Sequence, residues 1–436
     1  MINHKEKLTI FIEEFWRKKL PELKERDIKL KVETDLINDV VGVRRAGKTS
    51  LMLLQIKKLG KEKCIYLNFE NRKFFPLTPE YFNDIIDFIY ARELLKKYKK
   101  IFLFLDEVQK IDGWEKYVRS IYDEFKGKIK IFISGSSSKI TKSKLSSLLS
   151  GRHLSSYVFP LGFKEFLYFK NFKLHETIIE EDKARIIEFL KEYIGYGSFP
   201  EVVLTNQNKE EIIETLMLDI LNRYVLPNIV KRKEIVEDFV YFLCSNAGKL
   251  LSFNKMARLF KETSVITIEK IFKILKEVFL FFDSEIFSYK VKSQLQYPRK
   301  IYCVDPGFIN YFGFKFSEDK GRLMENLVVI ELLRRFGIGK KTKIFYWREY
   351  GKQDGKEVDF VIKEGLKVKQ LIEVTYANTK DEVEDKKVRS LLKASELFKC
   401  ENLHCITWDY ESEEEFKGKK IKFIPLWKWL LDNPLH

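Results

Sequence analysis

The chain has 436 residues, of which 45% are hydrophobic and 33% are charged, which predicts two to four domains with large buried cores and excludes a disordered chain. Its net charge of +16 favours a polyanionic partner such as nucleic acid, although a lysine-rich proteome would give the same excess. No apolar run approaches the roughly 20 residues that span a bilayer, and residues 1–7 are too charged for a signal peptide, so we expect a cytoplasmic protein without membrane contact.

The first two predicted segments are a lead-in and a sheet. Residues 1–36 are predicted to form a charged, helical lead-in. Residues 37–160 alternate strands with helices such as Lys48–Lys58 and Trp114–Phe125, which is typical of a parallel α/β sheet with right-handed crossovers. The predicted strands of this segment are Ile37–Val43, Cys64–Phe69, Ile101–Asp106, Ile129–Ser134 and Ser155–Phe159.

Three further segments follow the sheet. Residues 161–232 have a helical pattern with prolines as breaks. Residues 233–306 contain short helices followed by a β-like stretch, and residues 307–436 contain a helix followed by new strands. The main predicted elements here are Ser284–Tyr289, Arg299–Val304, Leu323–Phe336, Val358–Lys363 and Lys369–Thr375.

A phosphate-binding loop is predicted between the first strand and the first helix of residues 37–160. Residues 42–49 read Gly-Val-Arg-Arg-Ala-Gly-Lys-Thr and match G-x-x-x-x-G-K-[ST] without a mismatch. The glycines let backbone N–H groups turn towards phosphates, Lys48 reaches the β- and γ-phosphates, and Thr49 holds Mg²⁺. We therefore expect ATP and Mg²⁺ to be bound by Gly42, Val43, Arg44, Arg45, Ala46, Gly47, Lys48, Thr49 and Ser50.

Two carboxylates follow the apolar strand that begins at Ile101. Open α/β sheets bind ligands at the carboxyl ends of their strands, so we expect Asp106 to position Mg²⁺ and Glu107 to polarise the attacking water. Ser134 ends the next strand, where its hydroxyl either senses the γ-phosphate or makes a turn. Arg152 is either an arginine finger, acting in cis or on a neighbouring subunit of a homo-oligomer, or an ordinary surface residue.

Further motifs accompany the loop along most of the chain. They are Asn68-Phe-Glu70, Leu105-Asp-Glu-Val-Gln109 before Gly113-Trp114, Ser134-Gly-Ser-Ser-Ser138, Ser150-Gly-Arg152, Phe159-Pro-Leu-Gly-Phe-Lys-Glu165-Phe and Gly195-Tyr-Gly-Ser-Phe-Pro-Glu201. Together they resemble the prokaryotic AAA-type ATPases of the archaeal ATPase family. The resemblance implies Mg²⁺-dependent ATP hydrolysis. It also implies an AAA-type P-loop NTPase sheet at 37–160, a helical lid at 161–232, a winged-helix domain at 233–306 and a restriction-endonuclease-like α/β domain of the PD-(D/E)xK type at 307–436.

Residues 252–276 are predicted to form two short helices with a turn between them. A wing is predicted at Tyr289–Lys300. In a helix-turn-helix the second helix enters the major groove of DNA. The second helix here has Lys270, Lys273 and Lys276 on one face, where they either contact DNA phosphates, double- or single-stranded, or solvate an interdomain helix.

The last segment has three carboxylates in the order that the PD-(D/E)xK resemblance implies for a second metal site. They are Glu325, Asp359 and Glu373. A metal-dependent nuclease needs carboxylates that converge on Mg²⁺ and a cation near the attacking water. Thr375 stands where the active pattern has lysine, and Lys369 and Lys380 are the candidates to replace it. The domain is therefore either an active nuclease or a degenerate domain used for binding.

Three functions are compatible with these patterns. The first is a Mg²⁺-dependent ATPase that couples nucleotide state to movement of the winged-helix and nuclease-like domains on DNA. The second is an ATP switch that controls a protein partner. The third is an ATP-gated DNA nuclease.

Overall fold

The computed structural model describes residues 4–136, 151–229, 233–260, 263–313, 320–339, 341–350 and 355–432. The chain divides into two compact units. The first unit comprises Met1–Phe159 and Glu277–Phe279, and the second comprises Pro160–Lys276 and Leu280–His436.

In the described part of the first unit, a five-stranded sheet has the order β2-β3-β4-β1-β5, and all neighbouring strands are parallel. The strands are β1 (Ile37–Val41), β2 (Cys64–Asn68), β3 (Ile101–Asp106), β4 (Ile129–Gly135) and β5 (His153–Tyr157). This confirms the predicted parallel α/β sheet. Every residue of β3 is buried, because helices cover both faces of the central strands. Parallel pairing brings the carboxyl ends of β1, β3 and β4 to one edge.

The helices of the first unit follow the predicted pattern. They are α1 (His4–Arg17), α2 (Lys48–Leu59), α3 (Tyr81–Ala91), α4 (Leu94–Lys97) and α5 (Trp114–Glu124). The predicted helical lead-in over residues 1–36 is wrong beyond Arg17, where residues 18–36 form no helix. Pro21 disfavours helical backbone at the residue before it, and the charged residues that follow have no apolar face at helical spacing.

The second unit is built on a mixed sheet. In its described residues the sheet has nine strands in the order β13-β14-β12-β11-β10-β9-β7-β8-β6. The strands are β6 (Leu250–Leu251), β7 (Phe281–Ile286), β8 (Arg299–Cys303), β9 (Thr342–Arg348), β10 (Glu357–Glu364), β11 (Lys367–Val374), β12 (Leu403–Thr407), β13 (Ser412–Phe416) and β14 (Lys419–Pro425).

The helices of the second unit lie before, between and after these strands along the chain. They are α6 (Phe163–Phe169), α7 (Glu180–Tyr196), α8 (Pro200–Leu204), α9 (Lys209–Ile220), α10 (Ile235–Ser245), α11 (Phe253–Leu259), α12 (Val265–Glu277), α13 (Val291–Gln296), α14 (Pro306–Phe312), α15 (Lys320–Phe336), α16 (Asp385–Phe398) and α17 (Leu426–Leu431). Within the described ranges, no helix combines the length and the apolar character needed to cross a bilayer.

One sheet joins the middle and last predicted segments. Strand β7 pairs with β8 in antiparallel fashion and with β9 in parallel fashion. The predicted boundary at residues 306 and 307 therefore lies between strands of a single sheet. The stretch predicted as a wing, Tyr289–Lys300, contains the short helix α13 before β8 begins.

Candidate functional site

The loop of residues 42–47 connects the end of β1 to the start of α2, as the motif predicts. Arg45 and Gly47 have positive φ angles of 63° and 97°. A Cβ atom on Gly42 would lie 2.0 Å from the carbonyl oxygen of Val158. Only glycine therefore fits at this position, because the chain that leaves β5 passes directly over it.

Lys48, the first residue of α2, points back into the loop. Its Nζ donates hydrogen bonds of 3.1 Å to the carbonyl oxygens of Gly42 and Val43. Burial lowers the pKa of Lys48, and the neighbouring Glu107 and Asp106 oppose that shift. The ammonium group thus lies among the loop carbonyls and near both predicted acidic residues.

A second cation, from the segment that precedes β1, contacts the loop. Arg26 donates 2.9 Å and 3.0 Å hydrogen bonds from its two terminal nitrogens to the carbonyl oxygens of Ala46 and Phe159. The planar guanidinium suits this two-point contact, because its donors form a fixed fork. Arg26 therefore fixes the loop to the segment that follows β5.

Asp106 at the end of β3 is fully buried and accepts hydrogen bonds from three hydroxyl groups. Thr49 Oγ1 donates to its Oδ2 over 2.7 Å, and Tyr66 donates to the same oxygen over 3.0 Å. Ser134 donates to Oδ1. Burial raises the pKa of Asp106, while these donors act in the opposite direction. The structure thus brings Thr49 and Asp106, both predicted to bind Mg²⁺, into direct contact.

Glu107, the residue after Asp106, has a left-handed backbone conformation with a φ angle of 53°. Its N–H donates to Ser134 Oγ over 3.2 Å. Its carboxylate oxygens accept from Gln109 Nε2 over 2.5 Å and from Ser136 Oγ over 2.8 Å. Ser134 therefore connects the two acidic residues, and Gln109 and Ser136 hold the carboxylate of Glu107 between them.

The structure places Arg152 at the other edge of this sheet. Ile37 lies opposite His153 at the start of β1 and β5, and Arg152 precedes that pair, so about 16 Å of strand separates it from the loop. Its Nε donates to Asp123 over 3.0 Å. Arg152 does not contact the phosphate loop of its own chain, and its proposed action on a neighbouring subunit stays a prediction. Ser138 and Ser150, quoted with the motifs, lie outside the described residues.

A second cluster of buried charges lies in the second unit. Lys300 Nζ is 3.0 Å from Glu325 Oε1, 2.9 Å from Asp359 Oδ1 and 2.7 Å from Glu357 Oε1. Lys387 Nζ is 2.8 Å from Asp359 Oδ2 and 2.7 Å from Glu373 Oε2. The three predicted metal ligands, Glu325, Asp359 and Glu373, therefore meet lysine ammonium groups.

Burial and charge act against each other in this cluster. Burial raises the pKa of Glu325 to about 7, although Lys300 opposes the shift. Burial alone would also raise the pKa of Asp359, but Lys300 and Lys387 hold it well below its ordinary value. Burial, followed by the repulsion of Asp359, raises the pKa of Glu373. The cluster thus contains one firmly ionised carboxylate between two ammonium groups.

The expected second metal site is not formed in this arrangement. Across the described residues there is no group of three or more His, Cys, Asp or Glu side chains placed to hold a metal ion. Thr375 is buried and donates its N–H to the carbonyl of Ile406. The cation that sequence reasoning sought at Lys369 or Lys380 is supplied by Lys387 instead, since Lys369 is exposed and Lys380 pairs with Glu414.

The lysines predicted to share a face of α12 have different surroundings. Lys270 and Lys273 are exposed. Lys276 forms an ion pair with Asp283 and lies over the ring of Phe272. Two of the three predicted DNA-contacting lysines are therefore accessible to a phosphate backbone, and the third is held within the unit.

Sequence reasoning missed several residues of both clusters. None of them lies in a motif that assigns it a role from spacing alone. Gln109 and Ser136 had a visible signal, since they stand within the quoted Asp-Glu-x-Gln and Ser-Gly-Ser motifs. The missed residues are Arg26, Tyr66, Gln109, Ser136, Lys300 and Lys387.

Comparison with known families agrees with the first unit. Residues 35–167 match the AAA domain family. Residues 187–319 match one domain of unknown function, DUF8612, and residues 320–429 match another, DUF4143. The first match supports the P-loop fold that the geometry of the loop already indicates.

Relatives extend over nearly the whole chain. An uncharacterized protein of Methanocaldococcus jannaschii is 34% identical over 423 residues, which cover 93% of this chain and 90% of the relative. An uncharacterized protein of Haemophilus influenzae is 29% identical over 414 residues, covering 91% and 94%. Among solved structures, the Walker-type ATPase of Pyrococcus abyssi is similar with a TM-score of 0.42 and 13% identity, covering 72% of this chain and 96% of that chain.

The close approach at Gly42 is testable by substitution. We expect Gly42→Ala to lower the melting temperature of the protein, because overpacking of this kind costs about 1–3 kcal/mol. Differential scanning calorimetry measures the change. Gly195→Ala is the matched control, since a Cβ there meets nothing within 4 Å. Equal melting temperatures for the two variants would show that the loop does not need glycine at position 42.

Proposed function

The chain belongs to a family of AAA-type P-loop ATPases, and on that premise we propose that it is a Mg²⁺-dependent ATPase whose nucleotide state controls a DNA-binding second unit. The observation that carries the proposal is the 2.7 Å hydrogen bond between Thr49 and Asp106. It brings the phosphate loop and the acidic end of β3 into one site. Both parts are needed for phosphoryl transfer in P-loop enzymes.

The donors at this point fit Mg²⁺. Thr49 and Asp106 offer a hydroxyl and a carboxylate oxygen, which are hard ligands of the kind that Mg²⁺ prefers. These two residues would hold the ion beside the loop. When bound, Mg²⁺ would neutralise charge on the phosphates of ATP.

Other groups of the site would then bind the phosphates and activate the water. The backbone N–H groups of residues 42–48 would bind the phosphates. Lys48 would leave the loop carbonyls and pair with the terminal phosphates, which offer it a stronger, charged partner. Glu107 would orient the attacking water and accept its proton. Because Gln109 and Ser136 engage both oxygens of Glu107, its release from them would precede catalysis.

The second unit supports a role in nucleic-acid binding. Helices α10, α11 and α12 precede the antiparallel strands β7 and β8, and β6 pairs with β8, in an order compatible with a winged helix. The exposed side of α11 and α12 is basic. Its cations are Lys255, Arg258, Lys270 and Lys273, and no described residue forms an ion pair with any of them. We propose that they contact DNA phosphates.

Two other functions remain as alternatives. A switch that controls a protein partner would bind ATP and be insensitive to DNA. An ATP-gated nuclease would require metal at Asp359, which the ion pairs with Lys300 and Lys387 disfavour. Plasmid nicking in Mg²⁺ or Mn²⁺ that disappears in Asp359→Ala would support the nuclease.

The ATPase proposal is tested by two substitutions at the loop and the acidic pair. Lys48→Ala should abolish ATP binding, because it removes the ammonium group that pairs with the terminal phosphates. Glu107→Gln should bind ATP normally and lower turnover by about 100-fold or more, because the water loses its base. Binding is measured by titration calorimetry and turnover by phosphate release.

Glu124→Gln is the control for charge removal, since Glu124 is exposed at the carboxyl end of α5. It should behave as wild type in both assays. Unchanged ATP affinity in Lys48→Ala would refute the loop assignment, and a normal rate in Glu107→Gln would remove Glu107 from the mechanism.

The action of Arg152 on a neighbouring subunit is tested by mixing. In a homo-oligomer whose subunits complete one another's sites, adding Arg152→Ala protein to wild type should depress the ATPase rate more than dilution does. The ion pair with Asp123 makes Asp123→Ala a control that frees Arg152 without removing it. A rate strictly proportional to the wild-type fraction would contradict the trans role.

DNA binding is tested over a salt series. The double variant Lys270→Ala and Lys273→Ala should weaken binding to duplex DNA and reduce the slope of log K against log salt by about 0.9 for each lost phosphate contact. Fluorescence anisotropy measures the affinity, and ATPase rates with and without DNA report coupling. Lys367→Ala with Lys369→Ala is the control, because both lysines are exposed on β11. Equal slopes for the two double variants would place DNA elsewhere.

A further inference from the structure

A buried ammonium group occupies the centre of the carboxylate cluster in the second unit. Lys300 is 3% exposed and its Nζ lies within 2.7–3.0 Å of oxygens of Glu325, Glu357 and Asp359. The phenol of Tyr302 donates to the same oxygen of Glu325 over 2.8 Å. Such a shell of carboxylate oxygens is what a divalent cation would otherwise require.

Lys387 occupies further oxygens of the cluster, on Asp359 and Glu373. Asp359 Oδ2 accepts from Lys387 and from the N–H of Val374, over 2.8 Å and 3.0 Å. Glu373 Oε2 accepts from Lys387 over 2.7 Å. Glu373 Oε1 is buried without a hydrogen-bond partner. The two ammonium groups would repel a divalent cation at this point.

The charges of the cluster show what Lys300 contributes. Glu325, Glu357, Asp359 and Glu373 face the ammonium groups of Lys300 and Lys387, and Glu357 also pairs with Arg348 over 3.6 Å, so four carboxylates share three cations among the described residues. Loss of either ammonium would leave buried carboxylates in mutual repulsion. Burial of uncompensated charge is strongly unfavourable, so the carboxylates would then take up protons or attract a cation from solution.

We infer that Lys300 is an internal cation that takes the place of a divalent metal ion and closes this carboxylate cluster to Mg²⁺ and Mn²⁺. The cluster then has no metal with which to activate water for strand cleavage. The carboxylates come from α15, β10 and β11, whereas Lys300 comes from β8, beside the basic helices. The ammonium therefore also fixes β8 and the last segment to one another, so that they act together as a binding unit. This inference does not depend on ATP hydrolysis.

The test is to remove the ammonium and offer a metal in its place. Lys300→Met keeps much of the side-chain volume and should lower the melting temperature in EDTA by about 10 °C, since breaking a buried ion pair is costly. Addition of about 1 mM Mn²⁺ should restore at least half of that loss, because a ligand that binds only the folded state raises its stability. Wild type should gain no such shift. The double variant Lys300→Met with Asp359→Asn should show no recovery.

Lys292→Met is the matched control, since Lys292 is an exposed lysine outside the cluster. It should show neither the loss nor the recovery. A folded Lys300→Met protein without recovery in Mn²⁺ would overturn the inference.

A second measurement uses proteins that keep Lys300, so it does not depend on the folding of Lys300→Met. Mn²⁺ binding is counted by electron paramagnetic resonance in wild type and in Asp359→Asn. Equal numbers of bound ions are expected, because the cluster is closed in both. One additional ion in wild type would place a metal at Asp359 and overturn the inference.

Discussion

The buried carboxylate of Asp106 is the constraint on which the first unit depends. A fully buried carboxylate needs donors on every side, and each neighbouring element supplies one: Thr49 from α2, Tyr66 from β2 and Ser134 from β4. These donors meet at one point only if β2, β3 and β4 are parallel and end at the same edge, and only if the loop returns α2 to that edge. The satisfaction of one charge thus fixes the register of the sheet and the position of the loop together.

The second unit meets the same constraint with a different kind of donor. Asp359 on β10 is also a buried carboxylate, but its oxygens accept from the ammonium groups of Lys300 and Lys387. Hydroxyl donors satisfy the lone pairs of Asp106 without neutralising its charge, and the nearby Lys48 binds loop carbonyls and not Asp106, so a cation is still attracted. Ammonium donors satisfy both the lone pairs and the charge of Asp359. Two acidic clusters in one chain therefore differ in their demand for a metal because of what surrounds them.

The separation of contacting residues along the chain explains what the sequence could predict. Continuous apolar runs and the loop motif are local, and they predicted the parallel sheet, with strand β3 bounded as observed at Ile101–Asp106. Contacts between residues far apart in sequence leave no local signal, so Lys300 was not expected beside Asp359, 59 positions away. Arg152 shows the opposite case, in which residues close together in sequence lie at opposite ends of the strands. It follows the polar end of β4 in sequence, yet β5 starts at the opposite edge, because a parallel connection must cross the sheet before pairing again.

Glu107, the residue after Asp106, is held by segments that follow two adjacent strands. Its φ angle is positive, and both carboxylate oxygens accept hydrogen bonds, from Gln109 in the turn after β3 and from Ser136 after the end of β4. A carboxylate whose two oxygens both accept hydrogen bonds has less room to accept another from a neighbouring group. The donors belong to segments that leave adjacent strands, so a small shift of either segment would change the contacts of Glu107. The buried Asp106 has its three hydroxyl donors on α2, β2 and β4, so it would keep the end of β3 in place during such a shift.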